Sequence, residues 1–259
     1  MCRSVTGLEC PGMSPRKLPL DAGDPVQPRT ADLYGSLAKD KGLERNSILN
    51  PEVDFQAFAA RRAVLRSFAP FRSKLPEATL LDVGCGSGGL LPLAIELGLR
   101  PERLMGVDLQ PARLAAGRRA YPQIGFVLGD GRRLGFRSEA FDFVVESTMF
   151  VHVIDDALAA ELAREMIRVT SLEGRLILID WNLSHPTDSR YRSMRARFKR
   201  LFPPSEVRVE ASFRGALAPP LGRLLSRYLP SLYFPMWSLC PFLAFQRVWT
   251  LRRLIPNPD

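Results

Sequence analysis

The chain reads as an α/β protein with a doubly wound, mostly parallel sheet, and three observations predict this. Short apolar runs alternate with helical patterns from residue 79 to residue 180. A glycine-rich turn, Gly84-Cys85-Gly86-Ser87-Gly88-Gly89, falls between the first run and the first of those helices. Each of five runs ends at a carboxylate: Asp82, Asp108, Asp130, Glu146 and Asp180. Strands that are apolar along their whole length, each followed by a helix, are buried on both faces and joined by crossovers, which makes them parallel.

The elements follow in order. Residues 1–30 are rich in proline and glycine without periodicity and read as a flexible leader. Helices are expected at 31–43 and 52–69, the second with Pro51 at its start and Val53, Phe55, Phe58, Val64, Leu65 and Phe68 as an apolar side. Together, 31–70 would form a lid or cover over a cofactor. The core, 71–181, then holds strands at 79–83, 103–108, 124–130, 141–146 and 174–180. Helices at 88–98, 111–121 and 155–170 separate them, Pro111 in the first turn of one and acids in the first turn of another. Residues 182–259 depart from this alternation. They hold a very basic helix at 187–201, exposed-looking strands at 206–212 and 247–253, and a proline-broken apolar segment at 215–245.

With 259 residues, 46% hydrophobic and 24% charged, the chain is globular and large enough to bury a core without staples. Four scattered cysteines offer neither a disulfide framework nor a zinc site. Neither a signal-peptide pattern nor a clean spanning helix is evident, so a cytoplasmic location is expected. The net charge of +9 is concentrated: residues 181–259 carry 13 Lys+Arg against 4 Asp+Glu, whereas 71–180 carry 13 against 15.

The acids choose between two cofactor classes. Gly84, Gly86 and Gly89 satisfy the dinucleotide pattern G-x-G-x-x-G, which alone would suggest a nicotinamide cofactor and a dehydrogenase. Ligands of open α/β sheets bind outside the carboxyl ends of the strands. Five acids there make a poor seat for a pyrophosphate and a good one for a cationic sulfonium nucleoside. Asp108 would accept from both ribose hydroxyls, Asp130 from the adenine amino group, and Asp82 from an ammonium group. Amides near Gly86 and Ser87 would meet a carboxylate.

The segments LLDVGCGSGG (80–89), GVDLQPARL (106–114), FVLGDGRRLGF (126–136), FDFVVESTMFVHVIDD (141–156) and GRLILIDW (174–181) resemble the successive motifs of class I S-adenosylmethionine-dependent methyltransferases. That resemblance implies seven strands in the order 3-2-1-4-5-7-6 with strand 7 antiparallel, and S-adenosyl-L-methionine as cofactor. By motif position it implies a cofactor site of Asp82, Gly84, Cys85, Gly86, Ser87, Asp108, Leu109, Asp130, Gly131 and Glu146, with Leu109 against the adenine or ribose. VRVEASFRGALAPPLGRLL (207–225) and FLAFQRVWTLRR (242–253) are loosely similar to methyltransferases of bacterial cell-surface glycan and glycolipid clusters, although Phe245-Gln246 stands where that group carries Thr-His.

Methyl transfer to O, N or S is an in-line displacement in which the protein chiefly positions and desolvates. The candidates for a catalytic group are His152, after the fourth strand, and Glu146. Asp180, Trp181 and His185 follow the fifth strand. Glu146-Ser147-Thr148-Met149 replaces the Asn/Asp-Pro-Pro-Tyr/Phe sequence that marks adenine methylation in the superfamily, and no cysteine stands near to attack a pyrimidine. A small-molecule, glycan or glycolipid acceptor is therefore expected. The basic run RYRSMRARFKR (190–200) keeps an RNA-binding methyltransferase, or a basic adaptor with a vestigial site, as the alternative. Segment 215–253 is either a substrate lid or a reversible contact with the inner face of a membrane, and the two are compatible.

Overall fold

A computed structural model describes residues 50–183 and 191–254. The leader at 1–30, the helix expected at 31–43, the start of the basic helix and His185 lie outside them. The described elements are α1 (Asp54–Phe68), β1 (Leu80–Val83), α2 (Leu91–Glu96), β2 (Leu104–Asp108), α3 (Pro111–Ala120), β3 (Gly125–Leu128) and β4 (Phe141–Ser147). After these come α4 (Asp156–Val169), β5 (Thr170–Trp181), α5 (Phe198–Leu201), β6 (Val207–Arg214), α6 (Pro219–Tyr228), α7 (Pro230–Leu239) and β7 (Gln246–Arg253).

The seven strands form one sheet of order β3-β2-β1-β4-β5-β7-β6. β1 to β5 are mutually parallel, and β7 runs antiparallel to both β5 and β6. This is the sheet that the motif resemblance implies. One face buries Val83, Val144, Leu176, Leu178, Trp249 and Leu251 against α4 and α5. The other buries Leu80, Phe143, Val145, Ile177 and Val248 against α1, α2 and α3. Burial on both faces explains why β1 carries no polar alternation: its four residues are all buried.

Helix α2 is shorter than the sequence pattern suggests because glycines bound it. Gly88 takes φ +85° before it and Gly98 φ +102° after it, a region that costs other residues about 1–2 kcal/mol. Helix α4 starts where expected, with the Asp155 carboxylate accepting from the N–H groups of Ala157 and Leu158.

Two expectations are corrected. The basic stretch is not a continuous helix: among residues 191–201 only Phe198–Leu201 is helical, while Tyr191, Ser193, Met194 and Arg197 are buried. Arg192, Arg195 and Arg200 stay exposed while Arg197 is buried. Arg192 (2.9 Å), Arg197 (3.5 Å) and Arg200 all converge on Asp156. Strand β7 is also not exposed. Wedged between β5 and β6, it buries Val248, Trp249, Thr250 and Leu251. Only β6, the edge strand, matches the exposed reading.

The apolar segment folds into α6 and α7, each with proline in its first turn. They pack mainly on α1. Phe55 meets Tyr233 with ring centroids 5.5 Å apart, Phe58 meets Phe234 at 5.7 Å, and Arg227 pairs with Glu52 at 2.7 Å. Tyr233 is fully buried, and its hydroxyl accepts from the Leu217 N–H. No described helix is long and apolar enough to cross a membrane.

Candidate functional site

The chain leaves β1 through a turn whose shape is set by left-handed glycines, Gly84 at φ +74° and Gly86 at φ +56°. The N–H groups of Gly84 and Cys85 both donate to the Val107 carbonyl at the end of β2 (2.8 and 3.0 Å). Asp108 completes the tie. One carboxylate oxygen accepts from the Gly86 N–H at 2.7 Å, the other from the Gln110 N–H at 2.8 Å. Each carboxylate oxygen can accept twice, so both keep accepting capacity beyond these two bonds.

Beneath the turn lies Asp82, 2% exposed, with its Oδ1 buried and lacking a hydrogen-bond partner. Burial, reinforced by Asp108, pushes its carboxyl up to about 7, and the Arg113 guanidinium pulls the other way. A Cβ at Gly86 would strike that guanidinium, so Arg113 lies directly over the turn. Sequence reasoning missed Arg113. The available signal was its place in the first turn of the helix after Asp108, which aims a long cation back at the glycines.

The other rim acids are used differently. Glu146 is fully buried and accepts from the Met149 N–H (3.0 Å) and the Ile179 N–H (3.1 Å). It thereby braces the loop after β4, where Thr148 stands at φ +57° and Met149 packs on Gly84. A β-branched residue there stores of order 1–3 kcal/mol of strain that surrounding bonds must hold. Asp180, also fully buried, accepts from Val151 and Trp181 N–H groups (2.9 and 2.6 Å). Burial raises the carboxyls of both Glu146 and Asp180, the latter to about 7. Asp130 lies two residues beyond β3 and is clamped by Arg132, whose Nε stands 2.8 Å from it. Among these five described acids, Asp82 alone keeps a buried oxygen without a hydrogen-bond partner.

The remaining predicted residues sort by environment. Cys85 is buried against Gly106, and burial together with Asp82 and Asp108 pushes its thiol strongly up, so it stays protonated. Ser87 is exposed on the turn and Leu109 is half-buried just after β2. Gly131 faces α4, where a Cβ would meet Leu162 at 2.6 Å. His152 ends the single 3-10 turn Phe150–His152 after β4, its ring 5.2 Å from Tyr191. Tyr191 stacks on Trp181 at 4.8 Å, and Trp181 meets Phe245 at 4.5 Å. The carboxyl ends of β4 and β5 thus carry an aromatic wall beside the acids. Tyr191 and Phe245 were not among the predicted residues, since an arginine-rich run and a strand flank gave no sign that their rings converge.

Residues 81–178 match a family model described as a methyltransferase domain. Over 120 residues the chain is 33% identical to a 2-phytyl-1,4-naphtoquinone methyltransferase of Thermosynechococcus vestitus, covering 45% of this chain and 51% of that one. A demethylmenaquinone methyltransferase of Renibacterium salmoninarum is 31% identical over 120 residues, covering 46% of this chain and 47% of its own. The chain thus spans about half the length of these curated relatives. Among solved structures, a TehB-like methyltransferase from Corynebacterium glutamicum matches with a TM-score of 0.53 at 16% identity, covering 87% of this chain and 99% of that one. A geranyl diphosphate C-methyltransferase from Streptomyces coelicolor matches with a TM-score of 0.52 at 18% identity, covering 73% and 78%. At such identities the two likenesses show the fold.

Proposed function

We propose that this chain, which carries a class I S-adenosylmethionine-dependent methyltransferase domain, transfers a methyl group to a small ring-bearing, apolar acceptor presented at a membrane surface. The observation that carries the reading is Asp82: a buried carboxylate oxygen without a partner, under a left-handed glycine turn and beside Asp108. A cofactor with an ammonium group and a ribose diol fits that pair. The alternative dinucleotide would bring negative charge to the same acids.

When bound, the cofactor supplies an activated methyl on a positively charged sulfur. The rest is the work of this chain's residues. Asp82 would hold the ammonium group, Asp108 the ribose hydroxyls, and Gly84 and Gly86 would let the backbone approach. Asp130, Gly131 and Leu109 would border the adenine. Glu146 would keep the strained loop at Thr148 pressed toward the turn, a positioning role. His152, at the aromatic wall, is the group proposed to take a proton from an acceptor hydroxyl.

Support for the acceptor class comes from the wall of His152, Tyr191, Trp181 and Phe245, which suits a flat ring, and from the relatives, whose names specify a phytyl naphthoquinone and a demethylmenaquinone. Support for membrane contact comes from α6, α7 and the turn after them. There Leu224, Tyr228, Leu229, Leu232, Leu239 and Phe242 are exposed, the last two by 79% and 72%. Residues 211–254 contain no Asp or Glu, and the acid that meets α6, Glu52, is paired with Arg227 and Arg223, so the surface offered to an anionic leaflet is net basic and largely apolar. Peripheral attachment at the inner face of a membrane follows. A glycan or glycolipid acceptor remains the second reading, resting on the segment around Ala218-Pro219-Pro220-Leu221. The RNA reading loses one charge of the basic run to burial, Arg197 being enclosed with Asp156, while Arg192 and Arg200 share that same carboxylate and remain exposed.

The test is transfer of labelled methyl from S-adenosylmethionine to cell extract split into lipid, RNA, protein and water-soluble fractions. Label in an apolar ring compound of the lipid fraction is expected. Label confined to RNA or to water-soluble glycans would overturn the acceptor assignment.

A further inference from the structure

A cavity of about 540 Å³ opens between α5 and the β6–β7 edge of the sheet, well along the sheet order from the glycine turn at β1. Its apolar wall includes Phe198, Phe202 and Trp249. The Phe198 ring lies 5.3 Å from Trp249 and 5.8 Å from Phe202. Its polar lining is Lys199, Arg208, Ser212 and Arg247, and among the described residues no carboxylate lines it.

Arg247 is the unusual member. Its Nε is buried and has no hydrogen-bond partner, and one guanidinium nitrogen donates to the Ser212 hydroxyl at 3.1 Å. Burial lowers its pKa, and the charges of Arg214 and Arg195 push the same way. Neighbouring arginines on the same strand are answered: Arg252 pairs with Glu173 at 3.4 Å, and Arg253 with Glu139 at 3.5 Å. Arg197, on the covering segment, meets Asp156. A partly desolvated guanidinium facing like charges is costly unless an anion joins it.

We propose that this cavity binds an amphiphilic anion, with its phosphate or carboxylate head on Arg247 and Ser212 and its apolar body against Phe198, Phe202 and Trp249. Lys199 and Arg208 add charge at the rim. The site goes beyond the methyl-transfer reading and stands without it. Two sources share this chemistry, a soluble amphiphile and the headgroup of a bilayer lipid.

The full chain is titrated by calorimetry with n-octyl phosphate below its micelle concentration, with inorganic phosphate and with octanol. The expected result is octyl phosphate binding about tenfold tighter than either half-molecule, since both parts of the cavity are then used. Arg247→Gln should weaken it about tenfold and Arg247→Lys less, with circular dichroism and the melting transition confirming that each variant is folded. Should Arg247→Gln fail to fold, Lys199→Gln and Arg208→Gln at the rim decide, each by a loss of about two- to fivefold. Capture of phosphatidic acid vesicles that depends on Arg247 assigns the lipid source; binding of the monomer alone assigns the soluble one. Equal affinity for octanol and octyl phosphate, or undiminished binding by a folded Arg247→Gln variant, overturns the proposal.

Discussion

If Asp82 receives the cofactor's ammonium group, cofactor affinity must depend on pH in a way set by its own carboxyl. Burial and Asp108 raise that carboxyl to about 7, so the free protein holds a proton on Asp82 that a cationic ligand must expel. With that value Asp82 is about nine-tenths ionised at pH 8 and about one-tenth at pH 6, so apparent affinity should fall about tenfold between them. The sign is opposite for the free fold. An acid whose pKa is higher folded than unfolded destabilises progressively as pH rises from its ordinary 3.8 to about 7. Binding near pH 7 should release about half a proton. Calorimetry with S-adenosylhomocysteine, in buffers of different ionisation enthalpy at pH 6, 7 and 8, reads both quantities. Asp82→Asn should abolish the slope and weaken binding at pH 8 by about 1–3 kcal/mol, the worth of a hydrogen bond to a charged group. A wild-type profile flat within twofold, or a slope that survives Asp82→Asn, refutes the ammonium assignment.

Asp108→Ala should weaken S-adenosylhomocysteine binding by about 1–3 kcal/mol, because it removes the proposed ribose acceptor and the tie to Gly86; an unchanged dissociation constant contradicts it. Gly86→Ala places a Cβ at φ +56° against Arg113, so cofactor binding should be lost while the melting temperature falls by only a few degrees, about 1–2 kcal/mol of backbone cost. Arg197→Met removes a 2%-exposed guanidinium that bonds the Phe150 and Val153 carbonyls and pairs with Asp156. Thermal unfolding should drop by about 10 °C, corresponding to about 3 kcal/mol or more; a drop under about 2 °C denies it a structural role. The double variant Leu239→Glu/Phe242→Glu, at the most exposed apolar positions of α7 and the turn after it, should co-sediment far less with anionic vesicles while retaining cofactor affinity. Equal sedimentation of wild type and variant argues against the membrane face.

What could be read from the sequence was whatever is local. Apolar runs such as Leu80–Val83 and Leu176–Ile179 announce buried strands because both faces are covered, and Gly84-Cys85-Gly86 announces the turn because its glycines tolerate positive φ. Asp82, Asp108 and Asp130 stood out as strand-end acids because they follow one another at 26 and 22 residues, the length of one strand–helix–strand unit. Their division of labour was not legible. Whether a carboxylate oxygen is already taken depends on amides brought from elsewhere, as Ile179 is to Glu146 and Val151 to Asp180. The arginines misled for the same reason. Charge counted along 190–200 read as a basic helix, yet the partner of three of its arginines, Asp156, is distant in sequence and close only in the fold. The aromatic wall likewise joins Tyr191, Trp181 and Phe245 from three separate stretches.

The place of β7 in the sheet bears on how the chain is made. β6 pairs only with β7, and β7 separates it from β5. On a ribosome, Val207–Arg214 therefore emerges before any strand exists for it to join, and it must wait while Gly215–Phe245 is synthesised. During that interval the outer edge of β5 is bare, an invitation to wrong pairing with another nascent chain. Early folding of α6 and α7 onto α1 would shorten the delay by carrying the next strand toward its slot.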